Sequence, residues 1–165
     1  MKNKRFIIMA VLFFIGFIAA LSISYSVDLG GTKDGVFKVD YDSTWKLIYK
    51  DEFTLKHKKT GSIINIQSKE LEEKYVDTSL KYLIDDIVYS IEEQNKDYKL
   101  INISDDVNTE YEAYSYLYEK DMEQVLVNVY KKGNRLVIAY YMADSDVYDI
   151  VLDSVDTIFA SLKIS

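Results

Sequence analysis

The stretch Asp77-Thr78-Ser79-Leu80-Lys81-Tyr82-Leu83-Ile84-Asp85-Asp86-Ile87-Val88-Tyr89-Ser90-Ile91 decides the fold. Leu80, Leu83, Ile84, Ile87, Val88 and Ile91 recur at i, i+3, i+4, i+7, i+8 and i+11, which is one face of a helix, with Asp77 as the expected N-cap and acids on the other side. A helix with a single apolar stripe must lay it on something, and the flanking sequence supplies strands. Before it, residues 36–40, 45–49, 53–57 and 62–67 are short runs of β-branched and aromatic residues separated by turn formers, a four-strand meander. After it, residues 98–104, 110–119, 124–131 and 135–143 read the same way, the last two joined by the tight turn Lys132-Gly133-Asn134.

A second helix closes the chain, with Val147, Ile150, Val151, Val155, Ile158, Phe159 and Leu162 on one face, Asp146, Asp149, Asp153 and Asp156 on the other, and Ser145 as its expected N-cap. The connections between strands are too short for crossovers, so the expected fold is α+β: an antiparallel β-sheet with two helices packed on it, preceded by an N-terminal hydrophobic helix.

Further outward lies that N-terminal segment. Lys2, Lys4 and Arg5 precede an uncharged apolar run from Phe6 to Ile23, and its eighteen residues cover about 27 Å as a helix, close to the thickness of a bilayer core. A basic start and an apolar run serve a signal peptide or an uncleaved anchor equally; the length favours the anchor, while Ser22, Ser24 and Ser26 supply small residues for cleavage. The positive charges hold the N-terminus in the cytoplasm and deliver the remainder outside. Residues 1–25 are thus expected to be the signal or anchor, 26–35, with three glycines, a linker, and 36–165 an extracytoplasmic domain. The protein is expected at the cell membrane, or secreted if the segment is cleaved.

Composition narrows the function. The 165 residues include no cysteine, no proline and one histidine, which removes disulfide scaffolds, thiolate metal sites and cysteine nucleophiles. From Asp28 onward 17 basic groups face 27 acidic ones, a formal balance of −10 that repels polyphosphate and argues against a nucleic-acid partner. His57 has no second histidine or cysteine to join in a triad or zinc site and reads as a strand-end residue. The acidic segment Asp144-Ser145-Asp146-Val147-Tyr148-Asp149 lacks the glycine and terminal glutamate of a calcium loop. No phosphate cradle or nucleophile elbow is present, so neither a catalytic site nor a metal or cofactor is expected.

Two features point to binding instead. Tyr114, Tyr116 and Tyr118 fall on one face of a strand and offer a flat amphipathic surface for a glycan or protein, unless they lie beneath a helix. Fifteen tyrosines alone say less, because an AT-rich genome, as in low-GC Gram-positive bacteria, enriches Lys, Ile, Asn and Tyr. The basic turns holding Lys58 and Lys59, and Lys131, Lys132 and Arg135, would form one anion-facing patch if they share an end of the sheet.

The run Phe37-Lys38-Val39-Asp40-Tyr41-Asp42-Ser43-Thr44-Trp45-Lys46-Leu47 resembles the entry of the PsbP and Mog1-like fold, where a strand meets a turn and a Trp opens the next strand. The mid-chain helix, Glu112-Ala113-Tyr114-Ser115-Tyr116, Val137-Ile138-Ala139-Tyr140-Tyr141 and a final helix running into Ser161-Leu162-Lys163 are similar to the rest of that pattern. Asp42 stands where family members commonly carry proline, a change that keeps a turn former in place. The resemblance implies a non-catalytic binding or assembly domain with a protein or cell-envelope partner. The competing readings are a cell-envelope hydrolase using paired carboxylates and a carrier of small hydrophobic ligands with an enclosed apolar pocket.

Overall fold

The computed structural model describes residues 36–49, 53–94, 96–106 and 110–165. The hydrophobic segment from Phe6 to Ile23 and the 26–35 linker lie outside these residues. Among the described residues no helix is long and apolar enough to cross a membrane.

Among the described residues, nine strands and three helices follow in the order β1 (Phe37–Lys38), β2 (Trp45–Tyr49), β3 (Thr54–His57), β4 (Ile63–Glu70), α1 (Glu73–Val76), α2 (Leu80–Gln94), β5 (Lys99–Asp106), β6 (Glu112–Lys120), β7 (Glu123–Lys132), β8 (Arg135–Asp144), α3 (Tyr148–Ala160) and β9 (Lys163–Ile164). Seven strands form one antiparallel sheet in the order β2-β3-β4-β8-β7-β6-β5. The two meanders therefore join where β4 pairs with β8, from Ile63↔Met142 to Glu70↔Arg135. Central β8 is buried on both faces from Leu136 to Ala143, which explains its continuous apolar sequence. At the β6–β7 hairpin Asp121 takes φ 52°, and at β7–β8 Gly133 takes φ 56°, the left-handed conformations such tight turns require.

Each helix covers one face. Leu80, Ile84 and Ile87 of α2 pack on Tyr116, Tyr118, Val125, Val127, Val129, Leu136, Ile138, Tyr140 and Met142. Val151, Val155, Ile158 and Phe159 of α3 pack on Trp45, Leu55, Ile64, Ile66, Val137, Ala139 and Tyr141. The side chains of one strand point to opposite faces in alternation, so α2 and α3 share β8 while reaching toward opposite edges. Trp45 anchors α3: its indole N–H donates to Ser154 Oγ at 2.9 Å. The preceding turn is held by Asp42, whose carboxylate accepts from the Thr44 amide at 2.7 Å and from the Thr44 hydroxyl. These bonds hold the Asp42 carboxyl below its usual range. Aspartate thus makes the turn that a proline would otherwise preset.

Four expectations are corrected. The first strand shortens to Phe37–Lys38 and pairs with β9 at the far end of the chain, leaving a three-strand meander. The final helix stops at Ala160, and Ser161 Oγ, bonded to the Asp40 amide, turns the chain into β9. Asp77 closes the one-turn helix α1 rather than opening α2; the Leu80 amide is capped across the fold by Glu112 Oε2 at 2.6 Å, an anion at a helix N-terminus. Ser145 makes no cap either, since α3 opens at Val147 without a side-chain bond.

Candidate functional site

The tyrosine row does not form an open surface. Even-numbered β6 residues face α2, so Tyr116 and Tyr118 are 3% and 0% exposed and Tyr114 is half-buried beside the same cluster. Burial pushes the Tyr116 phenol up to about 12 and Tyr118 higher still, with Asp85 and Glu92 of α2 adding to the respective shifts. Parity along the strand was readable, but which face the helix would take was not.

The basic turns do not share an end of the sheet. Lys58 and Lys59 adjoin Ile63, whereas Arg135 pairs with Glu70 at the other end of β4, roughly 23 Å away at about 3.3 Å per residue. Several of these cations are already engaged. Buried Lys131 donates to the Val76 carbonyl at 2.9 Å and faces the Glu112 carboxylate at 3.9 Å. Lys132 donates to the Ile164 carbonyl at 2.6 Å and sits over the Tyr111 ring. Lys58 donates to the Ser43 carbonyl. One anion-facing patch built from both turns is therefore replaced by two separate ends, one of them a structural brace between α1, β6 and β7.

A different set of lysines is brought together by lateral register. On the α2 side of the sheet, Lys46 lies opposite Lys56, Lys56 opposite Ile63, Thr54 opposite Asn65, and Gln67 and Lys69 follow Asn65 at intervals of two along β4. All of these point to the same face by strand alternation. The apolar contacts of α2 fall on β6, β7 and β8, with Ile63 their only buried member on β4, so β2, β3 and β4 form a polar floor beside the helix. Asn65 Nδ2 donates to Thr54 Oγ1 at 2.8 Å, and Gln67 Nε2 donates to Asn65 Oδ1 at 2.9 Å, fixing the middle of that floor. Lys46 and Lys56 stand at one end and Lys69 at the other, roughly 20 Å along β4. Like charges directly opposite across a strand pair oppose folding, so Lys46 facing Lys56 is a stability cost that an anion would relieve. Partial burial draws Lys69 down to about 8, with Glu72 pulling the other way. Lys46 and Lys69 carried no local motif, since only strand pairing assembles them.

Other reactive groups are engaged structurally. His57 Nδ1 is bonded to Thr60 Oγ1 at 2.8 Å, and its ring lies 5.1 Å from Trp45. Glu123, 6% exposed, has its carboxyl raised by burial and by Asp144 opposite, while a hydrogen bond from Tyr98 opposes the rise. Lys120 lies over the Tyr98 ring and pairs with Asp97 at 2.9 Å. Among the described residues no three acids or histidines gather as metal ligands.

No family model matches the chain, and no curated protein matches it. Solved structures do. Cyanobacterial PsbP (CyanoP) from Synechocystis sp. PCC 6803 matches at TM-score 0.53 and 13% identity, over 87% of this chain and 100% of that one. LpqN of Mycobacterium tuberculosis, involved in cell envelope biogenesis, matches at TM-score 0.59 and 9% identity, over 78% of this chain and 83% of that one. A Pseudomonas aeruginosa protein of unknown function matches at TM-score 0.57 and 10% identity, over 79% and 99%. Such identities carry the fold and not the task. With its seven-stranded antiparallel sheet flanked by α2 and α3, the chain has the PsbP/Mog1-like fold.

Proposed function

We propose that this chain is a non-catalytic binding or assembly domain of the cell envelope, held at the outer side of the cell membrane by its segment from Phe6 to Ile23. The observation that carries the reading is the set of lysines that strand register brings to one face of β2, β3 and β4, exposed Lys46 and half-buried Lys56 and Lys69, bordering the buried Thr54 and Asn65 in a domain whose formal balance is acidic. The basic start and apolar run support export and tethering, and the likeness to a protein involved in cell envelope biogenesis supports the setting. Against the hydrolase reading, Glu123 and Asp144 are opposed carboxylates, but Glu123 is buried and engaged by Tyr98. Against the carrier reading, buried side chains of the sheet and helices pack together on both faces.

External protease treatment of intact cells, followed by fractionation and cross-linking, tests the proposal. The domain is expected to be digested from outside, to sediment with membranes, and to cross-link to an envelope component that a Lys46→Glu, Lys56→Glu, Lys69→Glu variant loses. Protection from external protease, or unchanged cross-linking in the variant, overturns it.

A further inference from the structure

Beyond that reading, we infer that Glu123 is a proton-operated latch at the corner where the chain enters β5, closed while its carboxyl holds a proton and loosened once the proton is lost. Strand register builds the corner. Lys120 of β6 and Asp144 of β8 stand directly opposite Glu123 of β7, one on either side, and alternation with Val125 and Met142 puts the row on the α2 face. Glu123 is 6% exposed, and its Oε1 is buried without a hydrogen-bond partner among the described residues. The carboxyl also accepts a bond from the Tyr98 hydroxyl, which ties the residue just before β5 to the first residue of β7.

The surrounding charges give the latch two states. Lys120 pairs with Asp97 at 2.9 Å and lies over the Tyr98 ring, while Asp97 and Asp121 both act on the Tyr98 phenol. Glu92 of α2 acts on Tyr118 of β6. Ionised Glu123 therefore sets a second negative charge opposite Asp144, with one oxygen out of reach of water, and like charges directly opposite across a strand pair oppose the pairing. Protonation removes the repulsion and supplies a proton that Asp144 can accept, and the Tyr98 bond survives because either form of the carboxyl accepts it. Burial and then Asp144 raise the Glu123 carboxyl above its ordinary range, while the Tyr98 bond and Lys120 hold it back. The folded chain thus keeps a proton that the unfolded chain releases from about pH 4.3 upward. The latch's contribution to stability is complete below that pH and is lost as the pH rises through the raised value. Ionised Glu123 regains water by swinging out from the hairpin, and that movement releases Tyr98.

The test uses the full chain in neutral detergent micelles, with thermal melts between about pH 4 and about pH 8 and amide exchange of Tyr98, Lys99 and Leu100 followed by NMR. Glu123→Gln keeps an acceptor for Tyr98 and places amide hydrogens where the proton would sit, without charge. It is expected to melt within about 1 °C of the wild type near pH 4 and about 3 °C above it near pH 8, the size of one cross-strand charge pair in a domain of this length. Near pH 8 the three amides are expected to exchange about fivefold faster in the wild type than in Glu123→Gln. Asp144→Asn removes the repelling charge and is expected to move the wild-type step in melting temperature to lower pH. Tyr98→Phe removes the bond that favours the ionised carboxyl and is expected to move it to higher pH. A residue that only fills space would shift the melts equally at every pH. Should Glu123→Gln fail to fold even at pH 4, the opposite displacements in Asp144→Asn and Tyr98→Phe still decide the matter. Parallel melting profiles for the wild type and Glu123→Gln, or a step that Asp144→Asn leaves in place, overturns the inference. So does stabilisation of the wild type near pH 8 by added calcium that Glu123→Gln lacks, since a cation and not a proton would then join the two carboxylates.

Discussion

The two faces of the sheet solve the same covering problem with opposite diagonals. On one face α3 lies over β2, β3, β4 and β8 and leaves β5 to β7 with a mixed surface that includes Ser104, Ser115, Gln124, Leu126 and Asn128. On the other, α2 lies over β6, β7 and β8 and leaves β2 to β4 with Lys46, Lys56 and Lys69. One helix per face is too narrow to cover seven strands, so each face keeps a half outside its helix's apolar contacts. The two halves differ in charge, and that difference gives only one of them a set of lysines.

The comparison breaks most sharply at the α3 anchor. Trp45→Ala removes a buried indole from the α3 face and the bond to Ser154, and is expected to destabilise the domain by about 3–5 kcal/mol in urea unfolding. Ser154→Ala removes only the hydrogen bond and is expected to cost about 1 kcal/mol. If the two variants lose equal stability, the indole ring is not the element that fixes α3.

On the α2 face the corresponding fastening is polar. Lys131→Met leaves the Val76 carbonyl and the Glu112 carboxylate without their ammonium partner, with an expected loss of about 1–3 kcal/mol. Glu112→Ala removes the cap on the Leu80 amide, for about 1 kcal/mol. Because both act on the α1–α2 junction, a double-mutant cycle is expected to show coupling between them. Strict additivity in denaturant unfolding would separate the brace from the cap.

These fastenings also mark where sequence legibility ends. The stripe Leu80, Ile84, Ile87 and the apolar run of β8 announced a buried helix and a central strand because periodicity is local. Asp77 looked like the cap of α2 because it precedes the stripe, yet the capping carboxylate comes from Glu112, more than thirty residues on. The β1–β9 pairing and the β4–β8 junction were hidden for the same reason. So was the floor: Lys58 and Lys59 stood out as neighbours in sequence, whereas Lys46, Lys56 and Lys69 become neighbours only through the register of three strands.

Alkaline titration compares the faces by their phenols. Tyr116 under α2 and Tyr141 under α3 are both pushed up to about 12 by burial. The folded state therefore holds protons that the unfolded state releases from about pH 10 upward. Stability is expected to be complete below pH 10 and to fall as the pH rises toward 12, with both faces contributing. Ultraviolet absorbance should show the phenolate of the buried rings appearing only with unfolding, as a stage above pH 10. A single stage near pH 10 would mean that neither helix seals its face.

The smallest expected effect isolates the cost of the floor itself. Lys69, drawn down to about 8 by partial burial, releases its proton in the folded chain before it does in the unfolded one. Its charged form therefore weighs against folding below pH 8, and that penalty is removed as the pH rises from about 8 toward 10.4. Lys69→Met keeps the aliphatic stem without the charge, so at neutral pH it is expected to leave stability unchanged or raise it by about 0.5 kcal/mol, the range of a half-exposed site. Thermal melts of both forms across that window should converge as Lys69 neutralises. A clear loss of stability in Lys69→Met at pH 7 would make this lysine a structural brace like Lys131, and the floor would then have one cationic end instead of two.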